Sequence, residues 1–194
     1  MTSRAVTLQG PRVRLRPWRL DGADGDLDAF AALNADRRVM QFLPQPLSRD
    51  ESAAMMGRLQ ARIDAQGWGL WAAEVDGGCI GFIGLSVPSF DAHFTPCVEV
   101  GWRLAASAWG HGYATEGAGL ALTYGFDVLG LDEILSFTAV DNARSLAVMA
   151  RLGMTHDPAD DFDHPRLAGH RLERHVLYRL RRLTLAHSNA AHEK

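Results

Sequence analysis

The stretch Gly110-His-Gly-Tyr-Ala-Thr-Glu-Gly117 places small residues between an extended run and a run of helical period, which leaves backbone N–H groups free and close to a ligand. Such a nest of amides binds phosphate. Three diphosphate loops compete for this stretch, and spacing separates them. A Walker loop requires Gly-Lys-Ser/Thr, and no lysine stands here. A Rossmann fingerprint requires a third glycine where Thr115 stands and an acidic residue after the next strand, whereas Asp132 and Glu133 precede that strand. The third pattern, Gln/Arg-x-x-Gly-x-Gly/Ala, is that of a coenzyme A pyrophosphate loop. It is met at Gly112 and Ala114, with Trp109 at the Gln/Arg position. The plain alternative is that the glycines only turn the chain.

A second group, His156, Asp157, Asp160, Asp161, Asp163, His164 and His170, is dense enough to raise the question of a metal. None of these residues has zincin or zinc-finger spacing, so a polar loop with Asp-Pro and His-Pro turns is the better reading and no metal is expected. Cys79 and Cys97 lack CxxC spacing and read as small apolar residues of a protein in a reducing compartment.

Several elements must position the glycine loop. Cys97–Leu104 is an extended run that enters it, and Ala114–Leu129 is a helix with apolar Ala118, Leu122, Phe126 and Leu129 on one side and Gly130 as its left-handed cap. Ile134–Val140 is a strand, Asp141-Asn142 a cap, and Ala143–Leu152 a helix closed by Gly153. Upstream, Arg12–Pro17 alternates as a first strand, and Asp24–Asn34 and Asp50–Ala65 have helical spacing, the second capped by Ser48. Val39–Pro46 is an apolar connection broken by prolines. Trp68–Val75 and Cys79–Val87 flank Asp76-Gly-Gly78 as a hairpin. Met154–Gly169 reads as a long loop, Leu172–Leu183 as a last strand in which Tyr178 packs, and residues 184–194 as a disordered tail. The hairpin demands antiparallel pairing and the strand-helix-strand order parallel pairing, so the fold class is α/β (α+β) with a mixed sheet.

Bulk properties fit one domain over residues 1–183. The 194 residues are 47% apolar and 22% charged, and 20 basic against 23 acidic side chains give a net charge of -3. That balance offers no positive field for nucleic acid or an anionic membrane. No leader or membrane-spanning run of about 20 apolar residues is present, so the expected location is the cytoplasm.

Four motifs in fixed order, Val98-Glu-Val-Gly-Trp-Arg-Leu104, Trp109-Gly-His-Gly-Tyr-Ala-Thr-Glu116, Asn142-Ala-Arg-Ser145 and Arg151-Leu-Gly-Met154, together span somewhat over a quarter of the chain. In them the chain resembles the GNAT acyltransferases, and within these the ribosomal-protein N-terminal acetyltransferase (RimJ/RimL-like) branch, where Trp is common at the position of Trp109. The resemblance implies a mixed, twisted sheet of six or seven strands with about four helices, binding acetyl-CoA where two central strands diverge. It implies that Trp109, Gly110, His111, Gly112, Tyr113, Ala114 and Thr115 cradle the diphosphate. The strand of Trp102, Arg103 and Leu104, bulged and splayed, would pair with the pantetheine arm. Transfer would be direct, to a primary amine of a protein N-terminus or a small molecule. Glu99 is the candidate base that removes the amine's proton, against the alternative of a solvated strand glutamate. Asn142 would contact the coenzyme, although a capping role alone explains it. Many relatives protonate the leaving thiolate with a tyrosine, here Met149, so Ser145 is the substitute candidate. The missing tyrosine keeps open a second reading, a non-catalytic acyl-CoA-binding or sensory module. Met40–Leu47 and the loop with Asp161-Phe-Asp-His-Pro165 would wall the acceptor site, the loop's acidic side chains attracting a cationic amine. Dimers are common among such proteins, which leaves a homodimer open.

Overall fold

The computed structural model describes residues 6–20 and 25–182, so the expected tail over 184–194 lies outside the described residues. Two short strands open the chain, β1 (Leu8–Gln9) and β2 (Arg14–Arg16). Helix α1 (Leu27–Ala35) is followed by α2 (Arg49–Gln66), whose start is fixed by a capping box: Ser48 Oγ accepts from the Glu51 amide and Glu51 accepts from the Ser48 amide. Strands β3 (Leu70–Val75) and β4 (Gly78–Ser86) form the expected hairpin. Next come β5 (Glu99–Leu104), α3 (Tyr113–Asp127), β6 (Glu133–Ala139) and α4 (Ala143–Arg151). The chain closes with β7 (Thr155–His156), β8 (Phe162–Asp163) and β9 (Arg174–Arg181).

The sheet runs β1-β2-β3-β4-β5-β6-β9-β7, with β8 also on β9. It is mixed as expected, but it has nine strands among the described residues rather than six or seven. The additions include β7 and β8, which occupy the segment read as a loop. Two residues are too few to display a period, and both pairs are held only by β9. Helix α3 also stops two residues before the expected Leu129.

Every strand pair is antiparallel except β5 and β6, which meet at one ladder position, Glu99 opposite Leu135. Beyond it they diverge. On its other edge β6 pairs along its whole length, all seven residues facing β9 from Glu133–Arg181 to Ala139–His175. The expected bulge in β5 is absent, because its register against β4 runs unbroken from Glu99–Ser86 to Leu104–Gly81. The sheet's irregularity lies instead between Ala73 and Glu74.

Alternation along β4 and β5 sends Ile83, Leu85, Val100 and Leu104 into a core with Ala118, Ala121 and Leu122 of α3. On the opposite face α1 packs on β4, where the Phe30 and Phe82 rings lie 6.3 Å apart. Arg16 anchors that face: buried, it binds Asp26 at 2.7 Å and Glu74 at 2.6 Å, which fixes β2, the start of α1 and β3 together. A second cluster of Leu135, Phe162 and Leu177 gathers Phe90, Phe94 and Phe137 under the β6–β9 half.

Candidate active site

The divergence of β5 from β6 opens a cleft of about 1170 Å³, above the usual range of roughly 300–1,000 Å³ for small-molecule pockets. The residues singled out in sequence, Glu99, Trp102, Arg103, Leu104, Trp109 through Thr115, Asn142 and Ser145, all line it.

At the wide end, Gly110 and Gly112 sit at φ 81° and 82°, a left-handed conformation that side-chain-bearing residues rarely adopt. Gly112 is the N-cap of α3 and carries no side chain to cover the first amides, so the donors of Tyr113, Ala114 and Thr115 face open space. Glu116, in the first turn, would repel an anion there if it faced the opening. It is turned away instead: its Oε1 accepts from the Arg12 and Val13 amides at 2.7 and 2.9 Å, and its Oε2 from Arg12 Nε at 2.8 Å. Arg12 then donates to the His111 carbonyl at 2.9 Å, tying the loop to the turn between β1 and β2. Trp109 Nε1 donates to the Leu104 carbonyl at 3.0 Å, and the Arg144 guanidinium lies 4.1 Å from the Trp109 ring centre. Bare helix-start amides, a left-handed glycine cap and a nearby arginine fit a diphosphate.

Along the middle of the cleft, the β5 edge beyond Glu99 has no strand partner, so its backbone groups are available to an extended ligand. The Trp102, Arg103 and Leu104 side chains divide between the faces. Leu104 is buried in the α3 core, whereas Arg103 points to the opposite face, where Nη1 donates to Asn34 Oδ1 at 2.8 Å and the guanidinium lies 5.2 Å from the Phe82 ring centre.

At the narrow end, Glu99 accepts from Ser86 Oγ at 2.7 Å. Burial pushes its carboxyl up to about 7, a rise that the Ser86 hydrogen bond only partly offsets. A carboxylate so placed holds or releases a proton near neutrality. Across the cleft, Asn142 caps α4 by accepting from the Ser145 amide, and its Nδ2 donates to Thr138 Oγ1 at 2.8 Å and Ser145 Oγ at 3.0 Å. The Ser145 hydroxyl thus accepts from Asn142 and keeps its own proton to donate. Met149 is buried beneath it.

The remaining wall comes from Phe42, Leu43 and Pro44, within the segment that the resemblance implied, from Val39 beside it, and from His164, Arg166 and Leu167 of the Asp/His-rich segment. The expected acidic lining is not there. Asp160 binds Arg179 at 2.7 Å, Asp161 binds His156 at 2.7 Å and Asp163 binds Arg174 at 3.2 Å, because β7, β8 and β9 draw these carboxylates onto the sheet and leave basic residues toward the cleft. Among the described residues, no group of three or more His, Cys, Asp or Glu side chains is placed to hold a metal ion, and no helix is long and apolar enough to cross a membrane. Tyr178 stacks on His156 at 5.0 Å, outside the cleft. Sequence reasoning passed over Phe82, Ser86, Arg144, Arg166 and His175, all of which line the cleft, whereas His164 stood in the run expected to wall the acceptor site. Of the residues passed over, only Arg144 lay within a recognised motif. Burial holds both His164 and His175 below the usual histidine range.

Comparison with known proteins bears on this geometry. Residues 12–155 match the family described as Acetyltransferase (GNAT) domain. An Aspergillus fumigatus protein, FsC-acetyl coenzyme A-N(2)-transacetylase, is 34% identical over 131 residues, covering 64% of this chain and 56% of that protein. The chain thus matches little more than half the length of that relative. The crystal structure of an acetyltransferase from Agrobacterium tumefaciens superimposes with a TM-score of 0.72 at 27% identity, covering 94% of this chain and 98% of the other. The fold is also that of the Microcin C7 self immunity acetyltransferase in complex with acetyl-CoA and AMP, at TM-score 0.70 and 14% identity over 89% of this chain and 94% of that one.

Proposed function

As the chain belongs to the acetyltransferase (GNAT) family, we propose that it is an acetyl-CoA-dependent acetyltransferase that acetylates a primary amine directly, in a ternary complex. The observation that carries this reading is the parting of β5 from β6 after one ladder position, with the uncapped start of α3 at the wide end and Glu99 at the narrow one.

Acetyl-CoA supplies the thioester whose acetyl group is transferred. The residues do the rest. Amides of Gly110 through Thr115, flanked by Trp109, hold the diphosphate, and Asn142 steadies the coenzyme beside the start of α4. Backbone groups of the free β5 edge at Trp102, Arg103 and Leu104 grip the arm, and amides of the same strand polarise the carbonyl. An ammonium has no lone pair, so Glu99 takes its proton, directly or through a water, with a proton affinity suited to neutral pH. The departing thiolate receives a hydrogen bond or proton from Ser145, whose hydroxyl the Asn142 amide orients.

The acceptor is a protein N-terminus or a small-molecule amine. The resemblance of its motifs to the RimJ/RimL-like branch favours the first, and the Aspergillus fumigatus relative, named for N(2) transfer, directs attention to amines in general. One domain over residues 1–183, a cytoplasmic location and a homodimer complete the reading. Two free thiols, each pushed up to about 11 mainly by burial, suit a reducing compartment. A thiol-release screen with acetyl-CoA against N-terminal peptides and small amines tests it: release with at least one amine class is the expected result. Tight coenzyme binding with no release across the panel would favour the sensory module, for which Met149 at the tyrosine position is the specific support.

A further inference from the structure

We propose that the acceptor amine also carries an oxyanion, a carboxylate or a phosphate, which pairs with the Arg103 guanidinium in the half of the cleft facing α1 and α2. This deepens the acetyl-transfer reading above and rests on it. Glu99, Gly101 and Arg103 alternate onto one face of β5, the face away from α3. Between the two charged residues the floor is bare, since a Cβ at Gly101 would meet nothing within 4 Å. Their Cα atoms stand about 13 Å apart along the strand, a gap that the two side chains and an acceptor between them must span.

Arg103 has no acidic partner among the described residues. Its neighbours are the Asn34 amide oxygen at 2.8 Å, the Met55 sulfur at 4.0 Å and the Phe82 ring. Arg16, the fully buried arginine of this sheet, is held by two carboxylates, and Arg38 at the cleft mouth by Asp36. Half-burying a guanidinium in a cleft without a counter-charge is unfavourable, and an incoming anion removes that penalty. Burial alone draws Arg103 down to about 10, the effect that an anion reverses. Asn34 is itself locked, its Nδ2 donating to Ser52 Oγ at 3.2 Å, so its oxygen must face Arg103 and hold the fork in place. Glu99 is the one acidic residue among those that line the cleft, against arginines 38, 103, 144, 151 and 166. Arg38 is held by Asp36 and Arg144 stands beside the diphosphate loop, so an acceptor's anion falls to Arg103, on the face of Glu99.

The test compares acceptors that share an amine and differ in the anion: amino acids against their carboxamides, and O-phosphoethanolamine against ethanolamine. With wild-type protein and acetyl-CoA, the anionic member of at least one pair should show a kcat/KM about thirtyfold higher, the discrimination expected of a charge-assisted hydrogen bond. The pair that responds tells carboxylate from phosphate. Arg103→Met, which replaces a lone half-buried charge by an apolar chain, should bring the ratio near one. Asn34→Asp, which keeps the arginine and gives it an internal counter-ion, should do the same through KM. Equal rates within every pair, a preference that survives both variants, or failure of every anionic amine to bind the CoA-loaded protein in calorimetry would overturn the inference. Absence of acetyl-CoA binding to the wild-type protein would overturn the underlying reading as well, and is seen in a separate titration.

Discussion

Glu99 is the residue on which chemistry and stability pull in opposite directions. With its carboxyl near 7 in the folded protein, the base is half available at neutral pH, so kcat/KM should rise about tenfold per unit of pH below 7 and flatten above it. Glu99→Gln should lower kcat at pH 7.5 by about 100-fold or more and abolish that limb, as followed by thiol release. The folded carboxyl binds its proton more tightly than the unfolded one, which titrates near 4.5, so between these values the folded state holds more protons and loses stability as pH rises. The substitution should therefore stabilise the protein at pH 8, by up to about 2 kcal/mol in denaturant melts, and give no gain at pH 4. A loss of activity accompanied by lower stability at pH 8 would mean that Glu99 is structural. Ser145→Ala should reduce kcat by about tenfold through the leaving group, with the Asn142–Thr138 contact preserved.

The start of α3 serves the ligand only because other elements hold it. Glu116 takes three hydrogen bonds from Arg12 and Val13, an arrangement that removes a negative charge from the diphosphate's approach and fastens the loop to the turn between β1 and β2. Burial alone would raise its carboxyl, yet the Val13 and Arg12 amides and the Arg12 guanidinium bring it below the usual range, so this clamp is lost as pH falls through that lowered value. Glu116→Ala should weaken coenzyme binding about tenfold in calorimetry and destabilise the fold by roughly 1–3 kcal/mol. Gly112→Ala tests the backbone itself: an added Cβ would meet only Arg12 Nη2 at an ordinary 3.5 Å, so the penalty, about 1–2 kcal/mol, comes from the left-handed φ. This loop was legible in sequence because its chemistry is local, with glycines and a following helix period adjacent in the chain. The Ser48 cap and the β3–β4 hairpin were legible for the same reason. The two-residue strands were not, since β7 and β8 exist only through β9. Nor was the lining of the acceptor wall: Asp160, Asp161 and Asp163 look free in the sequence and find Arg179, His156 and Arg174 only in three dimensions. The significance of Arg103 depends on strand alternation and on Asn34, 69 positions earlier, which no local pattern connects.

At the scale of the whole molecule, the sheet is two halves joined at a weak seam. One half holds β1 through β5 with α1 and α2, the other holds β6 through β9 with α4. A single β5–β6 ladder position, the packing of α3 across both sides, and Phe90 and Phe94 of the β4–β5 connection against Phe162 link them. A ligand seated in the seam contacts both halves and so stabilises the folded state as a unit. At a free concentration of 100 times its Kd, acetyl-CoA should add about 2.7 kcal/mol. For a domain of this size that corresponds to a Tm increase of roughly 5–10 °C. In hydrogen exchange, protection should appear at the cleft-facing amides among Val100 to Leu104 and at the first turn of α3, while the β3–β4 ladder, already paired, should change least. NAD carries a diphosphate but no pantetheine arm. It can occupy the amides of the loop without filling the seam, so its shift should be small and its protection confined to residues 110–115. If NAD and acetyl-CoA raised Tm equally, or if protection stopped at the loop for both, the β5 edge would not be gripping the arm and the divergence of the strands would have no part in binding.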